Sequence, residues 1–154
     1  MTSGIRALAV LAIAGTITLT VSWQSGGPLA VPVALTQTIQ IAPAAPVISA
    51  ITATTTSTGF QVQITGYSNT RELTQALLQF APAAGQTLQT TSLTVSLSSA
   101  AATWFQSGTS DQYGSQFILT LPFTVSNGGS SAIGSISVQL QNSVGSSSSS
   151  SATL

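Results

Sequence analysis

The chain has 154 residues, of which only four carry a charged side chain, and it contains no histidine and no cysteine. Most enzyme chemistry uses a group that titrates near neutral pH or a bound metal, so this composition argues against an enzyme and against a cofactor. A formal charge of zero also argues against capture of nucleic acid, which needs clustered lysine or arginine.

The same composition predicts a folded, β-rich protein. Hydrophobic residues make up 43% of the chain, serine and threonine together number 48, and glutamine adds 14. Threonine is β-branched and suits strands, whereas serine suits turns. The surface is therefore expected to be solvated by hydroxyls and amides. Because cytosolic proteins carry far more charge, we expect an extracellular or cell-surface location.

Three interpretations remain open for residues 1–23. Arg6, the apolar run 7–14 and the small-x-small pattern at 12–14 resemble a short secretory signal. A membrane-spanning helix needs roughly 20 apolar residues, and the run is too short for a stable span. From Gly15 to Trp23 polar and apolar residues alternate at a period of two, which is typical of a half-buried strand.

Two segments of the chain look alike. In 17–41 and in 117–141, two alternating stretches flank a Gly-Gly pair, Gly26-Gly27 in the first and Gly128-Gly129 in the second. Glycine supplies the positive φ that tight turns need, so each segment is predicted to be a β-hairpin. The offset of 102 positions is close to the ~100 residues of one β-sandwich domain. Either the chain carries part of a tandem repeat, or the likeness is coincidental.

The repeat interpretation divides the chain into four parts. Residues 1–42 hold an apolar segment and a hairpin, either as a signal or as the remnant of a preceding domain. Residues 43–46 form a linker stiffened by proline. Residues 47–143 are one complete domain, and residues 144–154 are a serine-rich tail that we expect to be disordered.

Within 47–143 the pattern predicts about seven short strands, which points to an all-β sandwich of two sheets. The segment Arg71–Phe80 fits a helix or a strand, and the turn residues Pro82 and Gly85 that follow favour the strand. The alanine-rich stretch 98–106 predicts one short helical turn. Pro122 should place its strand at a sheet edge or a bulge. The expected inward residues are Phe60, Val62, Ile64, Ala76, Leu78, Phe80, Leu93, Val95, Leu97, Phe117, Leu119, Leu121, Phe123, Ile136, Val138 and Leu140.

Four stretches, 66–72, 77–80, 104–107 and 114–117, together resemble the immunoglobulin-like (Ig-like) repeat domains of large secreted or surface proteins of environmental bacteria. The stretch 36–43 is similar to the junction between successive domains of that kind. The resemblance implies an Ig-like β-sandwich with a structural or adhesive role outside the cell. It implies no catalytic residues.

The only carboxylates, Glu72 and Asp111, are the only conceivable acid–base pair. Glycoside hydrolysis needs two carboxylates roughly 5–10 Å apart, and nothing in the spacing brings these two together. Glu72 follows Arg71, which predicts a surface ion pair or a turn contact. Asp111 lies in a glycine- and serine-rich stretch, where aspartate typically caps its own backbone. Two carboxylates are also few for a calcium site.

Trp104, Phe105 and Tyr113 are the one candidate ligand contact. If exposed, these aromatic rings would stack on a sugar; the alternative is that Trp104 and Phe105 plug the end of the core.

The sequence thus predicts a non-catalytic structural or adhesive Ig-like module that acts as a spacer or cohesion domain at the cell surface. Its partners would be neighbouring Ig-like domains or copies of itself joined through strand edges. One alternative is a carbohydrate-binding module, with polysaccharide as the partner. Another is a filament subunit joined by strand donation. Neither nucleic acid nor a membrane is an expected partner.

Overall fold

A small hairpin precedes a two-sheet β-sandwich. The computed structural model describes residues 13–21, 35–125 and 130–154, and within these residues the chain forms nine strands, one α-helix and two short 3-10 helices. The fold is all-β, as the sequence predicts. Both Gly-Gly pairs lie outside the described residues, as do residues 1–12 of the proposed signal.

The hairpin and the first sheet use five of the strands, all antiparallel. Strands β1 and β2 pair only with each other in the described residues, and the first sheet has the order β3-β4-β7. The bounds are β1 Gly15–Val21, β2 Leu35–Ile41, β3 Val47–Thr56, β4 Gly59–Tyr67 and β7 Gln116–Thr124.

The second sheet has four antiparallel strands in the order β6-β5-β8-β9. Its bounds are β5 Gln75–Pro82, β6 Ser92–Ser96, β8 Ile133–Gln141 and β9 Ser150–Thr153. Helix α1, Ser98–Phe105, connects β6 of this sheet to β7 of the other, and the 3-10 helices are Ser110–Gln112 and Ser130–Ala132. Neither α1 nor the 3-10 helices of the described residues are long and apolar enough to cross a membrane.

The core lies between the two sheets and follows the predicted alternation. Seven inward side chains are completely buried: Val62 and Ile64 on β4, Ala76 and Leu78 on β5, and Ile136, Val138 and Leu140 on β8. At one end of the sandwich the core is closed by stacked and edge-on rings of Phe60, Phe80 and Phe123. Burial of these side chains is the main favourable contribution to folding.

Several element predictions are confirmed. The ambiguous segment from Arg71 to Phe80 contains strand β5, with Ala76 and Leu78 buried. The alanine-rich stretch forms α1, which is longer than one turn. Pro122 lies in β7, an edge strand of the first sheet. One predicted face is wrong in part, because Leu93 on β6 is 39% exposed.

The prediction of two equivalent hairpins is wrong for the second segment. β1 and β2 do pair, with Ile17 opposite Ile39. β7 and β8 do not, because β7 pairs with β4 in one sheet and β8 with β5 and β9 in the other. The connection between β7 and β8 therefore crosses from sheet to sheet. An alternating pattern with a Gly-Gly connection does not distinguish a hairpin from such a crossing.

The predicted disordered tail is also wrong. Residues 150–153 form β9, which pairs with β8 from Ser135 to Val138. Closer to β8's end, Ser147 is buried; its N–H donates to the Leu140 carbonyl at 2.8 Å and its Oγ accepts from the Leu140 N–H at 3.0 Å. The tail is ordered because its residues form hydrogen bonds with the backbone N–H and C=O groups along the edge of β8. The sandwich therefore extends to Leu154.

We expect Ser147→Ala to lower the free energy of unfolding by about 1–2 kcal/mol, because the buried Leu140 N–H loses its acceptor. Ser149→Ala is the matched control, since Ser149 is exposed in the same serine run, and it should have almost no effect. Urea unfolding measures both. Equal effects of the two substitutions would contradict the assigned role of Ser147.

Candidate functional site

The polar features of the sandwich gather at the end where the chain enters it. We call this the junction end and define it by residues 42–46, 68–72 and 142–145. Three of the four charged residues lie in the described ranges, and two of them, Arg71 and Glu72, belong to the junction end, while Asp111 is bonded to Arg71. The core behind this end is closed by Phe105 and Phe117, whose rings are edge-on at 6.4 Å.

Asn69 holds the chain on both sides of the hairpin. Its Nδ2 donates to the Ala42 carbonyl at 2.8 Å, and its Oδ1 accepts from the Ala44 N–H at 2.9 Å. Its backbone carbonyl accepts from the Ala14 N–H at 2.7 Å. The first described residues before β1 and the residues after β2 are therefore tied to the same asparagine.

Asn142 completes the attachment from inside the sandwich. Its buried amide Nδ2 donates to the Ala44 carbonyl at 2.9 Å and lies 3.0 Å from Thr70 Oγ1 and 3.3 Å from Ser68 Oγ. Its Oδ1 accepts from the N–H groups of residues 144 and 145 at 2.9 and 3.1 Å. Both ends of the amide are thus satisfied, as buried polar groups require.

The predicted linker 43–46 is consequently part of the fold. Pro46 is fully buried and Ala44 is bonded through both its N–H and its carbonyl. Nothing in the sequence singles out Asn69 and Asn142, because they lie 73 positions apart and bind a third segment.

Arg71 ties several loops together at the same end. It is the only non-glycine described residue with positive φ, at 54°, and its Nη2 donates to the carbonyl of Phe105 at the end of α1. Nη2 also bonds Ser110 Oγ at 2.8 Å and Asp111 Oδ1 at 3.1 Å, and Nη1 bonds the Gly114 carbonyl at 3.3 Å. The guanidinium lies 5.7 Å from the Phe105 ring centroid. Both of its Nη nitrogens therefore donate to groups of the protein itself.

The two carboxylates have separate partners. Asp111 pairs with Arg71, so the first alternative predicted for Glu72, an ion pair with Arg71, is wrong. The second alternative, a turn contact, is present, because Ser68 Oγ donates to the Glu72 carbonyl at 2.7 Å. Glu72 accepts from Ser143 Oγ at 2.6 Å. Beside Arg71 and Glu72 is a depression of about 420 Å³ whose opposite wall is α1. Within the described residues, no three His, Cys, Asp or Glu side chains come together as a metal site.

The structure brings together two of the three candidate aromatic residues. The rings of Trp104 and Tyr113 lie 6.2 Å apart and are tilted by 34°, and Tyr113 is 52% exposed. Trp104 is half-buried and its Nε1 donates to the Gln116 carbonyl at 3.1 Å. Phe105 is 5% exposed and belongs to the core, so its predicted ligand contact is wrong. Sugar stacking on Trp104 and Tyr113 stays a prediction.

No protein-family model, curated protein or solved structure matches this chain.

We expect Asn142→Ala to lower the free energy of unfolding by about 2–3 kcal/mol, because it removes a buried amide that is hydrogen-bonded to residues 44, 68, 70, 144 and 145. It should also speed hydrogen exchange at Ala44, whose position depends on the amide. Ser143→Ala is the matched control, because Ser143 is exposed and bonds only Glu72 in the contacts described above. Unchanged exchange at Ala44 in the Asn142 variant would contradict the attachment.

We expect Arg71→Lys to cost about 1–2 kcal/mol of stability, because a lysine cannot reproduce the several directed N–H groups of arginine. Asp111→Asn should cost less than about 0.5 kcal/mol, because the aspartate side chain is 70% exposed and exposed ion pairs contribute little. Urea unfolding of both variants tests this order. A larger loss for Asp111→Asn would show that the ion pair matters more than the carbonyl contacts.

Proposed function

We propose that this chain is a non-catalytic extracellular module of Ig-like architecture that spaces or joins neighbouring domains at a cell surface. The observation that carries the proposal is the path of the chain. The chain enters the sandwich at Ala44, which is bonded to Asn142 just beyond the end of β8. The last described strand, β9, ends near the start of β8, where the Leu154 N–H donates to the Gly134 carbonyl, and we call this point the exit.

Entry and exit therefore lie at opposite ends of one strand. From Gly134 to Gln141 a strand spans about 25 Å at roughly 3.3 Å per residue. A module with this path adds its full length to a linear array. A module whose ends lie side by side adds almost none, so the arrangement favours a spacer.

The strand order supports the Ig-like part of the proposal. In immunoglobulin-type sandwiches, strands A, B and E share one sheet and strands C, F and G the other. Here β3, β4 and β7 take the places of A, B and E, and β5, β8 and β9 take those of C, F and G. β6 pairs with β5, in the place of the extra strand C′ of variable-type domains.

The chemistry of the surface supports a role without catalysis. Each described charged side chain is bonded within the protein: Arg71 to loop carbonyls and Asp111, and Glu72 to Ser143. Many outward positions on the strands carry serine, threonine or glutamine, as in the β8–β9 contact between Ser137 and Ser151, although Ile118 on β7 is 67% exposed. Such a surface is solvated without charge, which suits a structural module.

The direction of greatest mechanical resistance tests the proposal. The chain has no cysteine, so paired cysteines can fix pulling handles at chosen points. We expect Pro43→Cys with Thr153→Cys, which pulls from entry to exit, to rupture in one step at high force. Unfolding the chain between the two handles should release roughly 350 Å at about 3.4 Å per residue.

The matched control is Pro43→Cys with Val144→Cys, which pulls apart two points at the junction end. All three positions are exposed. A spacer should resist the entry-to-exit direction more strongly than this one. Equal or lower force from entry to exit, or gradual lengthening without a rupture, would overturn the proposal.

A further inference from the structure

The hairpin of β1 and β2 has one mainly apolar face, which also carries Gln37 opposite Leu19, and one mainly threonine face, which also carries Gln40 opposite Thr16. Ile17, Leu19 and Ile39 share a face and are 45, 53 and 47% exposed. Thr18 on the other face lies directly opposite Thr38. A two-stranded sheet is at best marginally stable in water, and independent stability takes three or more strands with an apolar face.

Strand β1 also lacks the residues that usually prevent an edge strand from pairing with another chain. Among the described residues it pairs only with β2, over seven consecutive positions without a register shift. An edge strand exposes a row of N–H and C=O groups, and natural proteins protect such edges with lysine, proline or a bulge. β1 has the sequence GTITLTV and contains none of these.

The sequence of β1 is complementary to itself when reversed about Thr18. An antiparallel pair of two β1 strands centred there places Ile17 opposite Leu19 and Thr16 opposite Thr20. All apolar side chains then stay on one face, and cross-strand threonine pairs are favourable. Interfaces between identical subunits are commonly two-fold symmetric, with the same patch used on both.

We propose that two copies of the chain associate by antiparallel pairing of their β1 edges about Thr18. The product is a four-stranded sheet in the order β2-β1-β1-β2. Ile17, Leu19 and Ile39 of both copies lie on one face, with Gln37 on its outer strands, and a row of threonines, Thr38 and Thr18 from each copy, crosses the other. The pairing raises the number of strands in the sheet from two to four, which exceeds the three that independent stability requires.

The geometry selects β1 rather than β2 as the paired edge. The same operation on β2, centred on Thr38, places Gln37 opposite Ile39 within the contact, whereas in the β1 pairing Gln37 stays on the outer strand. The described hairpin carries no charged residue, so like charges do not oppose the contact. Because an edge of seven residues is much smaller than a typical stable interface of about 1,600 Å², the dimer is expected to be reversible.

Disulfide capture in the full chain tests the register. In the proposed sheet the two Thr18 residues face each other across adjacent strands, at about 4.5–5.5 Å between Cα atoms, which suits a disulfide. The two Thr38 residues are three strand spacings apart, about 14 Å, which is too far. Thr18→Cys should therefore form a covalent dimer under mild oxidation, and Thr38→Cys, which is also exposed and on the same face, should not.

A charge at the two-fold axis tests the association without a covalent link. Thr18→Lys should abolish the dimer in light scattering over a concentration series, because two lysines meet at the axis. Thr38→Lys adds the same charge away from the contact and should leave the dimer. Circular dichroism checks that both variants fold.

The proposal is overturned by a wild-type chain that stays monomeric over the whole series. It is also overturned by Thr38→Cys that crosslinks as fast as Thr18→Cys, or by equal effects of the two lysines. None of these results bears on the spacer proposal, which depends on the sandwich and its pulling direction.

Discussion

The structure depends on one constraint: hydroxyl and amide side chains must make the hydrogen bonds between segments that charged side chains make in other proteins. Ser68, Ser110, Ser115, Asn142 and Ser147 are buried, and within the described residues no buried side-chain nitrogen or oxygen lacks a partner. A buried polar group without a partner costs more than a hydrogen bond gains, so each of these residues fixes a segment in one place. Arg71 follows the same logic, because it acts mainly as a donor to carbonyl and hydroxyl oxygens.

The sheets were predictable because their inward faces are read directly from a period of two. Val62 and Ile64, or Ile136 and Val138, alternate with glutamine or serine, and only one face can be buried. Even the ambiguous β5 could be assigned, because its neighbours are strands. The position of β7 at an edge was likewise visible, since Pro122 has no N–H to give to a second neighbour.

The ties at the junction end were not predictable, because they depend on which segments meet in space. Asn142 contacts residues 44, 68 and 70, and no spacing rule links an amide to a backbone carbonyl nearly 100 positions away. The order of the serine-rich tail was not predictable either. A serine run has no apolar alternation, so its order comes from the edge of β8 that it covers. The pairing of β7 with β4 instead of β8 is also a tertiary choice that the local pattern does not contain.

The attachment of residues 42–46 has a consequence for the conditions that the molecule tolerates. It is made by the amides of Asn69 and Asn142 and by backbone groups, none of which carries a charge to be screened or a proton to be lost at ordinary pH. Salt screens the interaction between exposed charges, with a screening length of about 10 Å at 0.1 M. Hydrogen bonds between uncharged groups are weakened much less. The angle at which the chain enters the sandwich should therefore be the same in fresh water and in brine.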